Sequence, residues 1–301
     1  MVNYEEFKEE VKDHILEYLP ETFADADVSI HSVIKNNGVR LDGLMIRESA
    51  SNICPNIYLN QYFADYESGR NFEEIMNELA SVRLRSGNAQ FPEVSDITCL
   101  EKMKDKIQVK LVNREKNQEY LSDKPFTSIA DLAAIYYITL DKSEHGNANI
   151  VITNNMLDAY GISISELHSI ALKNMKGKEA KFLTMAEILR NMVPDADSLF
   201  ENEDFPMYVL TNGDKINGAS MLLDTDTMDR IGERIGLGFF ILPSSIHETI
   251  FVPASIADTR NLKEMAEMVV EINGSQVAPD EVLSDHVYRY DYNTHTLEIA
   301  A

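Results

Sequence analysis

The chain has 301 residues, of which 44% are hydrophobic and 26% are charged. These values are typical of a folded globular protein and exclude disorder throughout. Its 50 acidic residues outnumber 27 Lys and Arg, so the formal net charge is −23, which disfavours sequence-neutral binding to nucleic acid or to anionic lipid.

The cysteines and the N-terminus indicate a reducing cytoplasm. Only Cys54 and Cys99 occur, without metal-ligand spacing. The first helix-like stretch is acidic and amphipathic, unlike a signal peptide, and no apolar run approaches the ~18–20 residues of a membrane span. We therefore expect a cytoplasmic protein with no membrane contact.

The first third of the chain predicts helix, hairpin and helix in that order. Apolar residues between 4 and 19 recur at helical spacing. Two β-rich runs then flank Asn36-Asn37-Gly38, a tip that tolerates positive φ and therefore predicts a hairpin. A further helix follows Asn71, which is a good N-terminal cap. These elements define an N-terminal α+β region over residues 1–98.

Residues 99–301 predict repeated strand–turn–strand–helix units. The run at 107–113 fits either a strand or a helix. Three units follow, and in the second of them the run 219–224, "ASMLLD", is predicted as a strand. Antiparallel hairpins, each followed by a helix, favour an α+β fold whose helices cover the sheet faces. One continuous domain is the alternative to a division at residue 98.

The run "ILPSSIHETIFVP", residues 241–253, carries the first candidate site: Ser244, Ser245, His247 and Glu248. On an extended strand His247 and Glu248 point to opposite faces, so they cannot orient each other. No Gly-x-Ser-x-Gly elbow surrounds the serines, and "HETIF" lacks the second histidine of a zinc helix. A structural turn is favoured, with a ligand-binding turn and a nucleophilic serine as alternatives.

A second candidate site is "SDHVYRYD", residues 284–291, which contains Asp285, His286 and Tyr288. Its acids and histidine could serve acid–base or metal chemistry. Alternation places His286, Tyr288 and Tyr290 on one face, which is typical of a packing or recognition strand. The functional interpretation strengthens only if this run meets the 244–248 turn in space.

Cofactor motifs are absent from the sequence. The acidic run 224–235 lacks the glycine and the final glutamate of a calcium loop, and "GDKINGAS" lacks the spacing of a phosphate loop. We therefore predict no cofactor and no metal.

Four stretches resemble a bacterial family of unknown function: "YVLTN…INGAS", "FFILPSSIHETIFVP", "EVLSDHVYRYD" and the earlier "VRLDGLMIRESASNICPNIYLNQYFADYESG". Members look like single-domain intracellular proteins of anaerobic, mostly gut, bacteria. More remotely, "VITNNMLDAYGISISELHSIALKNM" is similar to a strand–helix segment of the YtpQ-like family. Neither resemblance implies a known reaction, ligand or catalytic residue.

These observations favour a non-catalytic binding or interaction protein whose acidic surface meets a basic protein partner. One alternative is a hydrolase-like or metal-assisted enzyme built on His247, Glu248, Asp285 and His286. Another is an acidic decoy that occupies a nucleic-acid-binding protein. The sequence leaves the oligomeric state open.

Overall fold

The computed structural model confirms the α+β class and describes residues 2–48, 54–87, 92–143, 146–192, 207–236, 238–255 and 262–301. The chain divides into two compact units. Unit 1 is Met1–Lys35, Val39–Ile97 and Leu140–Gly146, and unit 2 is Asn36–Gly38, Thr98–Thr139 and Asn147–Ala301.

Helices and strands are interspersed along the described chain. The helices are α1 (Tyr4–His14), α2 (Leu59–Glu67), α3 (Phe72–Gly87), α4 (Val94–Ile97), α5 (Leu100–Met103), α6 (Gln118–Leu121), α7 (Asn154–Tyr160), α8 (Ile164–Met175), α9 (Met185–Met192), α10 (Thr225–Ile235) and α11 (Leu262–Ser275). The strands are β1 (Asp27–Ile34), β2 (Arg40–Arg47), β3 (Ile57–Tyr58), β4 (Ile107–Asn113), β5 (Phe126–Ile129), β6 (Leu132–Ser143), β7 (Gly146–Val151), β8 (Ala180–Thr184), β9 (Tyr208–Asn212), β10 (Phe239–Pro243), β11 (Thr249–Pro253), β12 (Tyr288–Asp291) and β13 (Thr296–Ile299).

Unit 1 packs helices on the three-stranded sheet β1-β2-β3. Helix α1 begins at Asn3, whose side chain accepts from the Glu6 amide while the Glu6 carboxylate accepts from the Asn3 amide, a reciprocal cap. The predicted helix 4–19 is regular only to His14 and then tightens into a 3₁₀ turn, Ile15–Tyr18. Its apolar face, with Phe7 and Val11, enters the unit's core.

The predicted hairpin is confirmed. Strands β1 and β2 pair antiparallel from Asp27↔Arg47 to Ile34↔Arg40. At the tip, Asn37 has φ 57° and Gly38 has φ 72°, a backbone region that Asn and Gly tolerate better than other residues.

The first sheet of unit 2 runs in the order β4-β6-β5, with β7 also paired to β6. The ambiguous run 107–113 is therefore a strand. Helix α8 packs on β4, and Leu111 and Leu167 are both fully buried. Ser163 caps α8 by accepting from the Glu166 amide.

The second sheet of unit 2 has six strands in the order β13-β12-β10-β11-β9-β8. Helix α11 covers one face, where Val269 packs with Leu242, Val252 and Val287. On β10 and β11, Phe239 and Phe251 lie 5.0 Å apart between ring centroids. This sheet positions both candidate sites, since the 244–248 turn joins β10 to β11 and residues 284–287 lead into β12.

The strand predicted for "ASMLLD" is wrong. Residues Gly218–Leu223 form a 3₁₀ helix instead, entered through Asn217 with φ 54°. Five of its six residues are buried, so the run has no exposed face, and a run buried on every side shows no periodicity that distinguishes strand from helix. Among all the helices of the described chain, none combines the length and apolarity needed to cross a bilayer.

Candidate functional site

Ser245 stabilises the 244–248 turn through hydrogen bonds with the backbone of the turn. The Ser245 amide donates to the Glu248 carbonyl (3.1 Å), and the Ser245 hydroxyl accepts from the His247 amide (3.0 Å). Ser244 and Glu248 are half-buried. Among the described residues, no hydrogen bond joins Glu248 to His247. The hydroxyl therefore stabilises the turn, as serines in turns commonly do.

His247 is held by contacts outside its own turn. Its Nδ1 accepts from the Asn217 amide at 3.1 Å, and its Nε2 lies 3.3 Å from Oε1 of Glu281. Because Nδ1 is an acceptor, the ring proton of the neutral form lies on Nε2 and faces Glu281. The carboxylate partner of His247 is thus Glu281, not its sequence neighbour Glu248.

A glycine lets the turn come this close. A Cβ on Gly218 would lie 2.3 Å from the His247 carbonyl oxygen and 2.3 Å from Oγ1 of Thr211. Thr211 donates to that same carbonyl at 2.8 Å. The 3₁₀ helix 218–223 and the turn therefore pack backbone against backbone, which only glycine permits.

The second site centres on Asp131, in the turn between β5 and β6. This carboxylate is 5% exposed. Its Oδ1 accepts from the Tyr288 hydroxyl at 2.7 Å. Its Oδ2 accepts from the Ser284 hydroxyl at 2.8 Å and lies 3.0 Å from Nδ1 of His286 and 3.2 Å from Nδ2 of Asn113. We call Asp131, Ser284, His286 and Tyr288 the Asp131 cluster.

Hydrogen bonding keeps Asp131 ionised. Burial acts to raise the pKa of this carboxyl, but the bonds from Tyr288, His286 and Ser284 outweigh burial and hold the pKa below its usual range. Burial and the Asp131 charge raise the pKa of Tyr288 far above that of a free tyrosine. Near neutral pH, Tyr288 therefore donates and Asp131 accepts in this contact.

Only His286 reaches the surface from the Asp131 cluster. Its side chain is 44% exposed, whereas Ser284 and Tyr288 are 0% exposed. A carboxylate on Nδ1 fixes an imidazole in the orientation that acid–base catalysts use. In those catalysts the nucleophile faces Nε2, but here the Ser284 hydroxyl lies 3.4 Å from Nδ1, on the Asp131 side.

Asp285 points away from this cluster. Its Oδ2 lies 2.6 Å from Nζ of Lys116, and its Oδ1 accepts from Nδ2 of Asn273 at 2.9 Å. Burial acts to raise the pKa of Asp285, but the bonds from Lys116 and Asn273 lower it overall. The same Asn273 amide also donates to the Ser284 carbonyl at 2.9 Å.

The chain from 279 to 286 is irregular but heavily bonded, and we call it the 279–286 segment. Asn37 donates to the carbonyls of Pro279 (2.9 Å) and Val282 (2.7 Å), and Asn36 donates to that of Asp280 (2.8 Å). The Ile246 amide of the neighbouring turn donates to the Glu281 carbonyl at 2.8 Å.

The two predicted sites meet through this segment. His247 contacts Glu281 near the start of the segment, and Asp131 contacts Ser284 and His286 at its end. Within the described residues, no hydrogen bond joins His247 to His286. The two imidazoles therefore flank one segment without forming one catalytic centre.

A family model described as a family of unknown function, DUF5688, matches residues 4–292. The chain belongs to this family. No curated protein and no solved structure matches the chain. The matched range contains the 244–248 turn, the 279–286 segment and all four members of the Asp131 cluster. The family description assigns no activity, so the chemistry rests on the geometry above. The remoter similarity to the YtpQ-like family stays a prediction.

Sequence reasoning missed the groups that organise both sites. Asp131, Asn217 and Glu281 were not predicted, although they orient His286 and His247. One signal was present: Asp131 is the only charged residue in "SIADLAAIYYITL", between two apolar runs. A carboxylate in that position is buried and needs donors.

Among the described residues, no group of three or more His, Cys, Asp or Glu is arranged to hold a metal.

Proposed function

We propose that this protein is a non-catalytic binding protein whose recognition surface is the 279–286 segment with the adjoining 244–248 turn. One observation carries the proposal: Ser284 and Tyr288 are fully buried, and both hydroxyls donate their hydrogen bonds to Asp131. The polar groups that resemble a catalytic set are used to fix the backbone of the segment. A segment fixed in advance loses little conformational entropy on binding.

The charge of this surface favours a basic partner. Asp280, Glu281 and Asp285 are each partly exposed, and the whole chain carries −23. Local and overall charge thus have the same sign, which speeds encounter with a basic surface and repels acidic ones.

In-cell photo-crosslinking tests the proposal. A photoreactive residue in place of exposed Ala278, just before the segment, is expected to crosslink one discrete protein in the producing cells. The same residue in place of exposed Ser169, on α8, serves as the control. Identical product patterns from both positions, or no product from position 278, would contradict the proposal.

Charge variants of this protein, titrated with the purified crosslinked partner, sharpen the test. We expect Glu281→Gln to weaken the captured partner's affinity and to flatten its dependence on salt, because one partly exposed charge is lost. Glu233→Gln removes an equal charge from the exposed face of α10 and is expected to change little. Equal effects of the two variants would show that only net charge matters.

An acid–base enzyme is the second candidate, favoured by the 3.0 Å contact between Asp131 and His286 and by the exposure of the imidazole. Hydrolysis of ester, phosphoester or peptide panels that disappears in His286→Gln would replace the binding proposal. Survival of that activity in Ser284→Ala would then assign His286 as a base acting on water or substrate.

An acidic decoy is a special case of the binding proposal. Its partner would be a nucleic-acid-binding protein, and duplex DNA would compete with crosslinking at position 278. Insensitivity to DNA would leave a basic partner of another kind.

A further inference from the structure

We propose that unit 1 contains a binding site for a small organic cation with a methylated ammonium group. The site is an open pocket of about 200 Å³, lined by Val2, Phe7, Glu10, Tyr66 and Phe72. This proposal concerns residues remote in sequence from the 279–286 segment and stands or falls separately from the proposed function.

Three helices supply the pocket. Phe7 and Glu10 are three residues apart on α1 and therefore share a face. Tyr66 lies near the end of α2, and Phe72 is the first residue of α3. The short connection between α2 and α3 brings the last two rings together. The pocket is thus a product of helix packing and not of a single loop.

The rings meet at steep angles. Phe72 is nearly perpendicular to Phe7 (85°, centroids 5.8 Å apart) and to Tyr66 (79°, 6.2 Å). At these centroid distances the rings pack against one another. Phe7 is 1% exposed and forms the floor, whereas Tyr66 and Phe72 are partly exposed and offer ring surface to a ligand. A cation within about 6 Å of a ring centroid is attracted by the negative face of the ring, and methylated ammonium groups suit such aromatic sites because they are weakly hydrated.

Glu10 supplies the charge that selects a cation. Its side chain is 58% exposed, and its Oε2 lies 3.6 Å from Nε2 of His14, beyond hydrogen-bond distance. Helix α1 carries four Glu and one Asp against two Lys, so its field favours positive ligands. An apolar ligand would fill the pocket but gain nothing from this carboxylate.

The volume restricts the ligand to a compact head group. Pockets that bury drug-sized ligands measure about 300–1,000 Å³, and this one is smaller. We therefore expect choline or a similar trimethylammonium compound to bind in the millimolar range, because few atoms are buried.

NMR titration with a matched pair of probes tests the proposal. Choline is compared with 3,3-dimethylbutan-1-ol, which has the same shape and no charge. We expect choline to bind roughly tenfold more tightly, as cation–π and carboxylate contacts require the charge. Its N-methyl signals should shift upfield, and the shifted protein signals should be those of the pocket residues. Equal binding of both probes, or no binding of choline well above millimolar concentration, would overturn the proposal.

Variants connect the binding to this pocket. Phe72→Leu keeps apolar volume and removes one ring, and Glu10→Gln removes the charge of a side chain that is 58% exposed. Both are expected to weaken choline severalfold and to leave the neutral probe almost unchanged. Glu9→Gln, which neutralises an acid of α1 that does not line this pocket, is the control. Equal loss in Glu9→Gln and Glu10→Gln would reduce the effect to net charge and contradict the site.

Discussion

Asp131 is the residue on which the geometry of the second site depends. Its two oxygens receive hydrogen bonds from three different parts of unit 2: the end of β4, the 279–286 segment and β12. A buried carboxylate is unfavourable without donors, so the carboxylate and its donors require each other. This mutual requirement specifies one backbone path for residues 284–288.

Asp131→Asn is expected to lower the free energy of unfolding by roughly 2–4 kcal/mol, because a neutral amide leaves buried donors without an acceptor. Asp285→Asn, at a carboxylate that is 37% exposed, should cost less than about 1 kcal/mol because solvent screens its pair with Lys116. Urea denaturation followed by circular dichroism and tyrosine fluorescence measures both, since the chain lacks Trp. Equal losses of unfolding free energy in the two variants would show that the buried hydrogen bonds of Asp131 add no stability beyond that of a surface ion pair.

The stabilisation by Asp131 should depend on pH. The folded-state pKa of this carboxyl lies below its ordinary value, so its contribution is present above the unfolded-state pKa of about 4 and is lost as the pH falls through the folded-state pKa. The stability difference between wild type and Asp131→Asn should therefore be largest near neutral pH and shrink below about pH 4. A difference that stays constant down to about pH 3 would contradict an ionised Asp131.

The sequence indicated the exposed members of the sites more readily than the buried ones. His247 and His286 stand out by residue type, but Asp131 lies 155 residues before His286. Which acid pairs with which histidine depends on the order of strands in two sheets, and local pattern carries no information about that order. Strand alternation predicted that Glu248 does not orient His247, but it could not identify the acid that does, Glu281, which lies 34 residues further along the chain.

Elements with strong local signals were predictable. The Asn-Gly tip fixed the β1–β2 hairpin, and the cap at Asn71 is present, with its Oδ1 accepting from the Glu73 amide at 2.8 Å. The 3₁₀ helix 218–223 was mispredicted because its conformation is imposed by the 244–248 turn, which approaches Gly218 closely. Tertiary packing there overrides local preference.

Gly218→Ala is expected to destabilise the protein by roughly 1–3 kcal/mol or more, because the new methyl group would meet backbone atoms that cannot move independently. Gly274→Ala provides the control: it lies in α11, where an added Cβ would have nothing within 4 Å, and alanine should be neutral or stabilising by up to about 1 kcal/mol. Thermal unfolding compares the two. A harmless Gly218→Ala would contradict the close packing of turn and helix.

At the scale of the whole molecule, the excess negative charge opposes compactness. A net charge of −23 produces self-repulsion that salt screens, since the Debye length falls from about 30 Å at 0.01 M to about 8 Å at 0.15 M. We expect the melting temperature to rise over this range by a few degrees, corresponding to about 1 kcal/mol. A fall would show that attractive ion pairs outweigh the repulsion.

The proposed recognition surface depends above all on one property of the 279–286 segment: although irregular, it is fixed before any partner binds. Backbone ¹⁵N relaxation of residues 280–286 measures this most directly, in wild type and in Asp131→Asn. The bonds from Asn36, Asn37, Ile246, Asn273 and the Asp131 cluster predict order parameters of about 0.85 in wild type, as in rigid secondary structure, with lower values toward residue 286 in the variant. Order parameters below about 0.6 across the wild-type segment would contradict a surface fixed in advance.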